Sequence, residues 1–244
     1  YQLSRLSEAR HNEQFLAQER EDAVLGRAAA AIAHEIRNPL NAINLGLQRL
    51  ELEESGLLAE YTPLTSAMRN AVSRANTIVG DLSRFAQPLT IAAENIAIES
   101  LLKDILALYQ SEAELLKIKI SLTANDKQRQ RDIEADPTLL AQALENICKN
   151  AIEAQPEGGF LDIRLQVCQQ ECQITFSNGG CTVKPADLKK ITEPWFSTKT
   201  RGTGLGLALV ERIIKTHNGR FTVICSQSGI LQQDIFLPRR QPKS

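Results

Sequence analysis

The sequence of 244 residues contains no apolar run long enough to cross a bilayer, which would take about 20 consecutive apolar residues. It also has almost no net charge, because 28 basic residues oppose 29 acidic ones. The basic excess expected of a nucleic-acid-binding protein is missing, so we predict no nucleic-acid partner. Internal repeats and low-complexity tracts are absent as well. The 43% of hydrophobic and 23% of charged residues are typical of a globular protein.

The cysteines lack the spacing of a metal site or of a paired redox motif. Their odd number favours free thiols in a reducing, cytosolic compartment. The chain opens at Tyr1 in charged helical sequence without a signal peptide, so we expect a fragment of a longer protein. The five cysteines are Cys148, Cys168, Cys172, Cys181 and Cys225.

The first third of the chain has the composition of long helices. Residues 1–26 carry only a loose apolar stripe and are interpreted as a coiled-coil lead-in. Residues 27–88 are expected to form a helical hairpin, with Thr62 and Pro63 as the N-cap and first-turn proline of its second helix. Because a lone hairpin buries its apolar stripes poorly, we predict a homodimer that forms a four-helix bundle. The two stripes are Ile32, Ile36, Leu40, Ile43, Leu47 and Leu50, then Met68, Val72, Ala75, Val79, Leu82 and Phe85.

After Gln87 and Pro88 the pattern changes to short strands that alternate with helices, which predicts an α/β sandwich domain over residues 92–240. The predicted strands are Asn95–Glu99, Lys119–Ala124, Phe160–Cys168, Gln173–Phe176, Arg220–Cys225 and Ile230–Phe236. The predicted helices are Ser100–Leu116, Asp136–Gln155 and Gly204–Thr216.

A polar group of residues interrupts the first apolar stripe. In the stretch AIAHEIRNPLNAI (31–43), His34 and Asn38 lie one helical turn apart, on the side away from the stripe. A neutral imidazole is a competent nucleophile, and the adjacent Glu35 can act as its general base. Pro39 weakens the helix next to it. Taken alone, His34 is more simply an exposed helical histidine; the other two histidines, His11 and His217, lie in ordinary polar surroundings.

Two further segments carry polar groups suited to binding a metal ion and phosphate. In LLAQALENICKNAIEA (139–154), Asn146 and Asn150 lie four apart beside an apolar face, where two carboxamide oxygens can complete the shell of a hydrated Mg²⁺. In EPWFSTKTRGTGLGLALV (193–210), glycines open a helix after a basic, hydroxyl-rich loop, which suits phosphate, with Lys199 or Arg201 supplying charge. Trp195 and Phe196 are either core aromatics or anchors of a lid.

These segments resemble, in order, the H box, the N box and the F and second glycine boxes of sensor histidine kinases, over residues 30–220. The resemblance implies a hairpin followed by an ATP-binding domain of the histidine kinase, gyrase and MutL type. It implies that His34 carries the phosphoryl group, that Glu35 acts as base and that Asn38 positions water when the partner is dephosphorylated. That partner would be the receiver domain of a response regulator. The implied compartment is the cytoplasm, as part of a larger sensor whose membrane attachment lies outside this chain.

The same resemblance implies the cofactors ATP and Mg²⁺, with Asn146 and Asn150 as the metal ligands. The segment SNGGCT (177–182) departs from the first glycine box, since Asn178 replaces the aspartate that accepts the adenine amino group and Thr182 replaces a glycine. Its amide oxygen can still accept that hydrogen bond, without charge assistance. The implied ATP-binding residues are Asn146, Lys149, Asn150, Asn178, Gly180, Thr198, Lys199, Gly202, Thr203, Gly204, Leu205 and Gly206.

Two alternatives stay open at this stage. The ATP-binding segment alone also resembles that of MutL and gyrase ATPases, but Asn146 stands where those hydrolases carry a glutamate that activates water. The second alternative is a weakly ATP-binding dimeric signalling scaffold or phosphatase, and it is motivated by Asn178.

Overall fold

The computed structural model describes residues 36, 37, 40, 41, 43–48, 58–124, 132–199, 202–226 and 228–241. The chain divides into two compact units, Tyr1–Pro88 and Leu89–Ser244, which are described separately. The predicted coiled-coil lead-in and the residues His34, Glu35 and Asn38 lie outside the described residues.

The first unit is helical wherever it is described before Gln87. Its described helical residues are 36, 37, 40, 41 and 43–48, followed by helix α1 (Leu58–Ala86). The N-cap predicted at Thr62 with Pro63 is wrong, because α1 begins four residues earlier and Pro63 lies inside it. A proline this close to a helix start removes one backbone hydrogen bond, and the helix-forming residues before it still extend the helix.

The apolar stripes of this unit are only partly covered. Leu47, Val72 and Val79 are buried, in agreement with the predicted stripes, whereas Ile43 and Met68 remain 48% and 44% exposed. Further apolar side chains are exposed on the same unit, so a single chain leaves a broad apolar surface uncovered. These are Ile36, Leu45, Leu64 and Ile78. Within the described part of the chain, no helix is both long and apolar enough to span a membrane.

Over its described residues, the second unit has seven strands and three helices. Its strands are β1 (Glu94–Ala97), β2 (Ile118–Ala124), β3 (Asp132–Ala135), β4 (Gly159–Val167), β5 (Glu171–Asn178), β6 (Arg220–Cys225) and β7 (Leu231–Pro238). Its helices are α2 (Ile98–Leu115), α3 (Pro137–Glu153) and α4 (Gly206–Thr216). A short 3₁₀ turn covers Pro185–Lys190.

The main sheet has the strand order β2-β4-β5-β7-β6, with β2 parallel to β4 and every other pair antiparallel. Alternate residues of β4 and β5 are fully buried, as expected of strands with one covered face. Helix α3 packs against both α2 and α4, and each of the three helices contacts strands of the sheet. The α/β sandwich architecture is therefore confirmed.

The six predicted strands and three predicted helices of this unit are all present, with ends within two residues of those predicted. The prediction missed β3, which pairs antiparallel with β1 in a separate two-stranded ribbon. Its four residues include only Ile133 and Ala135 as buried positions, which is too short a pattern to stand out from a loop.

Asp136 is the cap of α3 and joins three segments of the chain. Its Oδ1 accepts hydrogen bonds from the backbone N–H groups of Thr138 and Leu139, both at 3.0 Å, and its Oδ2 accepts from the N–H of Ala92 at 2.9 Å. Its own N–H donates to Nε2 of His217 at 3.0 Å. The start of α3 is therefore fixed both to the segment before β1 and to the residue that follows α4.

His217 does not lie in polar surroundings, which corrects the expectation from sequence. The side chain is fully buried, and its Nδ1 lies 2.8 Å from the carbonyl oxygen of Ile213. Because Nε2 accepts from Asp136, the proton of the neutral ring lies on Nδ1. Both ring nitrogens are thus occupied in holding the fold together.

The Asp136 carboxyl should make the stability of the folded protein depend on pH. Burial acts to raise its pKa, but the backbone hydrogen bonds from Leu139, Ala92 and Thr138 outweigh burial and hold the pKa below its usual 3.8. A lowered carboxyl pKa stabilises the fold above the unfolded pKa, and this stabilisation is lost as pH falls through the folded one.

We therefore expect the stability advantage of the wild type over Asp136→Asn, measured by urea unfolding, to shrink between pH 6 and pH 3. Asparagine is an equally good N-cap but carries no charge and cannot also accept from Ala92; neither difference varies with pH, so a change of the advantage with pH reports the titration of the carboxyl. An advantage that is the same at both pH values would contradict this account.

Candidate functional site

The C-terminal half of α3 presents two amides beside its buried face. Asn146 and Asn150 are half-buried, and Nδ2 of Asn146 donates to the carbonyl oxygen of Gln142 at 3.0 Å, which leaves its Oδ1 free for another partner. Gly206, the first residue of α4, lies against both amides: a Cβ added there would lie 3.5 Å from Oδ1 of Asn146 and 3.6 Å from Nδ2 of Asn150. The structure thus brings the two predicted metal ligands together with the glycine-rich segment.

A cation from the loop before α4 reaches the same place. Nζ of Lys199 donates to Oδ1 of Asn150 at 3.2 Å and pairs with Oε2 of Glu153 at 2.7 Å. Lys149 is more exposed, and its Nζ lies 4.0 Å from Oε1 of the same Glu153 without a hydrogen bond to Asn150. Of the two predicted lysines, Lys199 is therefore the one that the structure places at the amides.

The glycine-rich segment is built around Gly204, whose φ is +71°. A Cβ at Gly204 would lie 2.5 Å from the carbonyl carbon of Trp195 and 2.7 Å from the backbone nitrogen of Phe196, so only glycine fits. Its carbonyl accepts from the N–H of Trp195 at 3.1 Å. Trp195 itself is 58% exposed, which rules out the core position that the sequence left open for it.

The residues around Gly204 complete this turn. The N–H of Gly202 donates to the carbonyl of Lys199 at 3.3 Å, and the N–H of Leu205 donates to Oγ1 of Thr203 at 3.4 Å. Leu205 is buried at the cap of α4 and forms no side-chain cap bond, so the first N–H groups of α4 stay available to an anion. Thr198 lies exposed in the same loop.

Asn178 ends strand β5 and is completely buried. Its Nδ2 donates to the carbonyl oxygen of Gly179 at 2.6 Å, whereas its Oδ1 has no hydrogen-bond partner among the described residues. Gly180 follows with φ +76°, and a Cβ there would clash with the carbonyl oxygen of Ala154, just beyond α3. The segment of the altered first glycine box therefore lies directly against the end of the helix that carries Asn146 and Asn150.

Gln155 is a site residue that the sequence did not reveal. It is buried, and its amide makes four hydrogen bonds with backbone groups, one of them from the N–H of Gly179 to Oε1 at 3.1 Å. In the sequence it merely ends a predicted helix, before a turn rich in glycine. Nothing in its neighbours along the chain indicates that its partners come from a helix, from strand β4 and from the residue that follows β5.

The cysteine pattern was also misjudged. Cys181 and Cys225 form a disulfide, against the expectation of free thiols throughout. They are 44 residues apart and meet because β5 and β6 run in the same direction on either side of β7 and finish at the same end of the sheet, a proximity that spacing cannot show. Cys148 and Cys172 are free and buried, and burial raises the pKa of each thiol to about 12, so both should be inert.

Comparison with known proteins finds one matching family model in each unit. Residues 24–88 match the family model described as the His Kinase A (phospho-acceptor) domain. Residues 135–241 match that of the histidine kinase-, DNA gyrase B-, and HSP90-like ATPases. Sensor histidine kinase ZraS of Escherichia coli K12 is 34% identical over 205 residues, which are 84% of this chain and 43% of the relative. The chain belongs to the sensor histidine kinases.

Other histidine kinases show the same relationship. Sporulation kinase E of Bacillus subtilis is 32% identical over 219 residues, which are 89% of this chain and 29% of that protein. The solved structure of the histidine kinase ThkA in complex with the response regulator protein TrrA has a TM-score of 0.67 and 25% identity, and covers 94% of this chain and 66% of that one. The chain spans less than half the length of the curated relatives it matches, ZraS and sporulation kinase E.

Proposed function

We propose that this histidine kinase chain transfers the γ-phosphoryl group of ATP to His34 and then to an aspartate on the receiver domain of a response regulator. The observation that carries the proposal is the cluster of Asn150, Lys199 and Gly206, which joins metal-binding amides, a cation and a helix N-terminus. Such groups position and neutralise phosphates, which is most of what phosphoryl transfer requires of a protein.

The nucleotide would lie between the end of α3 and the start of α4. Oδ1 of Asn178 is a buried acceptor without a partner, so it supports binding of the adenine amino group. Lys199 and the open N–H groups of α4 would hold the phosphates. The further proposed contacts come from Asn146, Lys149, Gly180, Thr198, Gly202, Thr203, Gly204 and Leu205.

Mg²⁺ fits the two amides on α3. Among the described residues no cluster of three or more His, Cys, Asp or Glu side chains could hold a metal, but amide oxygens are hard ligands of the kind Mg²⁺ accepts beside water and phosphate. Oδ1 of Asn150 already faces a cation, the ammonium of Lys199. When bound, Mg²⁺ would offset the negative charge of the phosphates, and Asn146 and Asn150 would orient it.

At the acceptor, a ring nitrogen of His34 would attack the γ-phosphorus. The bond from that phosphorus to the β-phosphate oxygen breaks, ADP leaves, and Glu35 takes up the imidazole proton. The proposed second step breaks the new P–N bond as the aspartate of the receiver domain attacks. Asn38 would orient water when the same surface dephosphorylates the partner.

We also propose that the chain acts as a homodimer through its first unit. The exposed side chains of Ile36, Ile43, Leu64, Met68 and Ile78 form apolar surface that a monomer would leave in water. Pairing two hairpins into a four-helix bundle would cover such stripes.

The proposed activity is tested by incubating the protein with Mg²⁺ and ATP labelled in the γ-phosphate. We expect label on the protein that is labile in acid and stable in base, as a phosphohistidine is, and no label from ATP carrying it in the α-phosphate. A folded protein that binds ATP but takes up no such label would contradict the kinase proposal and leave the scaffold alternative.

A further inference from the structure

The amide of Asn178 can read a nucleobase only if its orientation is fixed. A carboxylate presents acceptors in either orientation, whereas an amide presents an acceptor or a donor according to which end faces the base. In this structure Nδ2 of Asn178 is taken up by the carbonyl oxygen of Gly179, at 2.6 Å, and Oδ1 is the buried end without a partner. The reverse orientation would set two oxygens against each other at Gly179.

Gly179 is held in place by Gln155. Its N–H donates to Oε1 of Gln155 at 3.1 Å. The amide of Gln155 cannot turn over either, because its Nε2 donates to the carbonyl oxygens of Ala151 at 3.0 Å and of Phe160 at 2.9 Å, while its Oε1 also accepts from the N–H of Phe160 at 3.1 Å. Each end of this amide therefore meets groups of the matching type.

The packing leaves the segment little room to move. A Cβ on Gly179 would come within 2.9 Å of Oε1 of Gln155, and one on Gly180 would clash with the carbonyl oxygen of Ala154. The next residue, Cys181, donates its N–H to the carbonyl oxygen of Gly229 at 2.9 Å. The peptide that carries the Gly179 carbonyl is thus bounded on both sides.

We infer that Gln155 is a positioning residue that sets the nucleobase specificity of the ATP site, by fixing Gly179 and through it the acceptor end of Asn178. Adenine carries an amino donor at position 6 and matches this acceptor. Hypoxanthine and guanine carry an oxygen there, which would face Oδ1 without a proton between them. The inference rests on the proposed ATP binding. It adds Gln155 as the residue that allows Asn178 to accept the adenine hydrogen bond in place of a carboxylate.

The first test compares the affinities of the unmodified protein for ATP and for inosine triphosphate, whose base exchanges donor and acceptor at positions 6 and 1. We expect ATP to bind about 30-fold more tightly, because the inosine base would leave Oδ1 of Asn178 buried and unpaired. Affinities within threefold of each other would overturn the inference. If neither nucleotide binds, the proposed function fails and the inference falls with it.

The second test places Gln155→Met in two backgrounds, the wild type and Asn178→Asp, and measures the ATP to inosine triphosphate ratio in each. With Asn178 present, loss of the Gly179 contact should let the amide turn and lower the ratio at least about tenfold. In the Asn178→Asp background Gln155→Met should leave the ratio unchanged, because both ends of a carboxylate are acceptors whichever of them faces the base. A merely structural Gln155 would change both backgrounds alike, which would refute the inference while leaving ATP binding intact.

Gln155→Glu guards against misfolding of the methionine variant. Its buried carboxyl would be protonated opposite the carbonyl oxygens of Ala151 and Phe160, and its other oxygen would still accept from the N–H of Gly179, so we expect the wild-type ratio even if absolute affinity falls. A folded Gln155→Glu protein whose ratio drops as far as that expected for methionine would also overturn the inference.

Discussion

Replacement of His34 by glutamine is expected to lower incorporation of γ-phosphate label by more than about a thousandfold, to below detection. The amide has no nucleophilic nitrogen, so the phosphoryl group loses its acceptor altogether and the whole reaction is expected to stop. ATP affinity should change by no more than about twofold, because the proposed nucleotide contacts all come from the second unit. Label retention after acid and base treatment, together with calorimetry of ATP binding, measures both effects.

His11→Gln is the matched control and should label like the wild type. His217 is no substitute acceptor, since it is fully buried and both of its ring nitrogens are engaged with Asp136 and Ile213. Acid-labile label that persists in His34→Gln would therefore point to His11 and would refute the assignment of His34.

Gly204→Ala is expected to destabilise the second unit by about 3 kcal/mol and to abolish measurable ATP binding. The alanine would have to hold φ near +71°, and its Cβ would press on the backbone of Trp195 and Phe196. Thermal unfolding reports the first effect and calorimetric titration with Mg²⁺ and ATP reports the second.

The matched variant is Gly206→Ala, two residues further on. Its Cβ would make only ordinary contacts with the side chains of Asn146 and Asn150, so its thermal stability should stay within about 0.5 kcal/mol of the wild type. Equal losses of stability in the two variants would show that the turn at Gly204 is not the constraint described.

Local chemistry made much of the second unit predictable. Asp136 and Pro137 mark the start of α3 because a cap needs a short acceptor and the first turn tolerates a missing N–H, and both features lie next to each other in the chain. Asn146 and Asn150 stand out because asparagine is a poor helix former beside an apolar face. Such signals depend on neighbours within a turn or two.

What the sequence did not reveal depends on partners far along the chain. The role of His217 needs Asp136, the role of Gln155 needs Phe160 and Gly179 together, and the disulfide needs two strand ends to meet. The predicted helix start near Pro63 was wrong for a different reason. The free energy that a helix loses with one hydrogen bond is smaller than the free energy contributed by a good helix-forming segment. The residue type of Asn178 alone indicates neither that its side chain is buried nor which end of its amide is the free acceptor.

The hydrogen bond between Asp136 and His217 lies at the far ends of the two helices that form the proposed phosphate site. Helix α4 has 11 residues, so this bond is about 16 Å from its first N–H groups. The contact between α3 and α4 is therefore tied at a point distant from the groups proposed to hold the phosphates. We expect substitutions around His217 to change the affinity for ATP although none of the proposed contact residues is replaced.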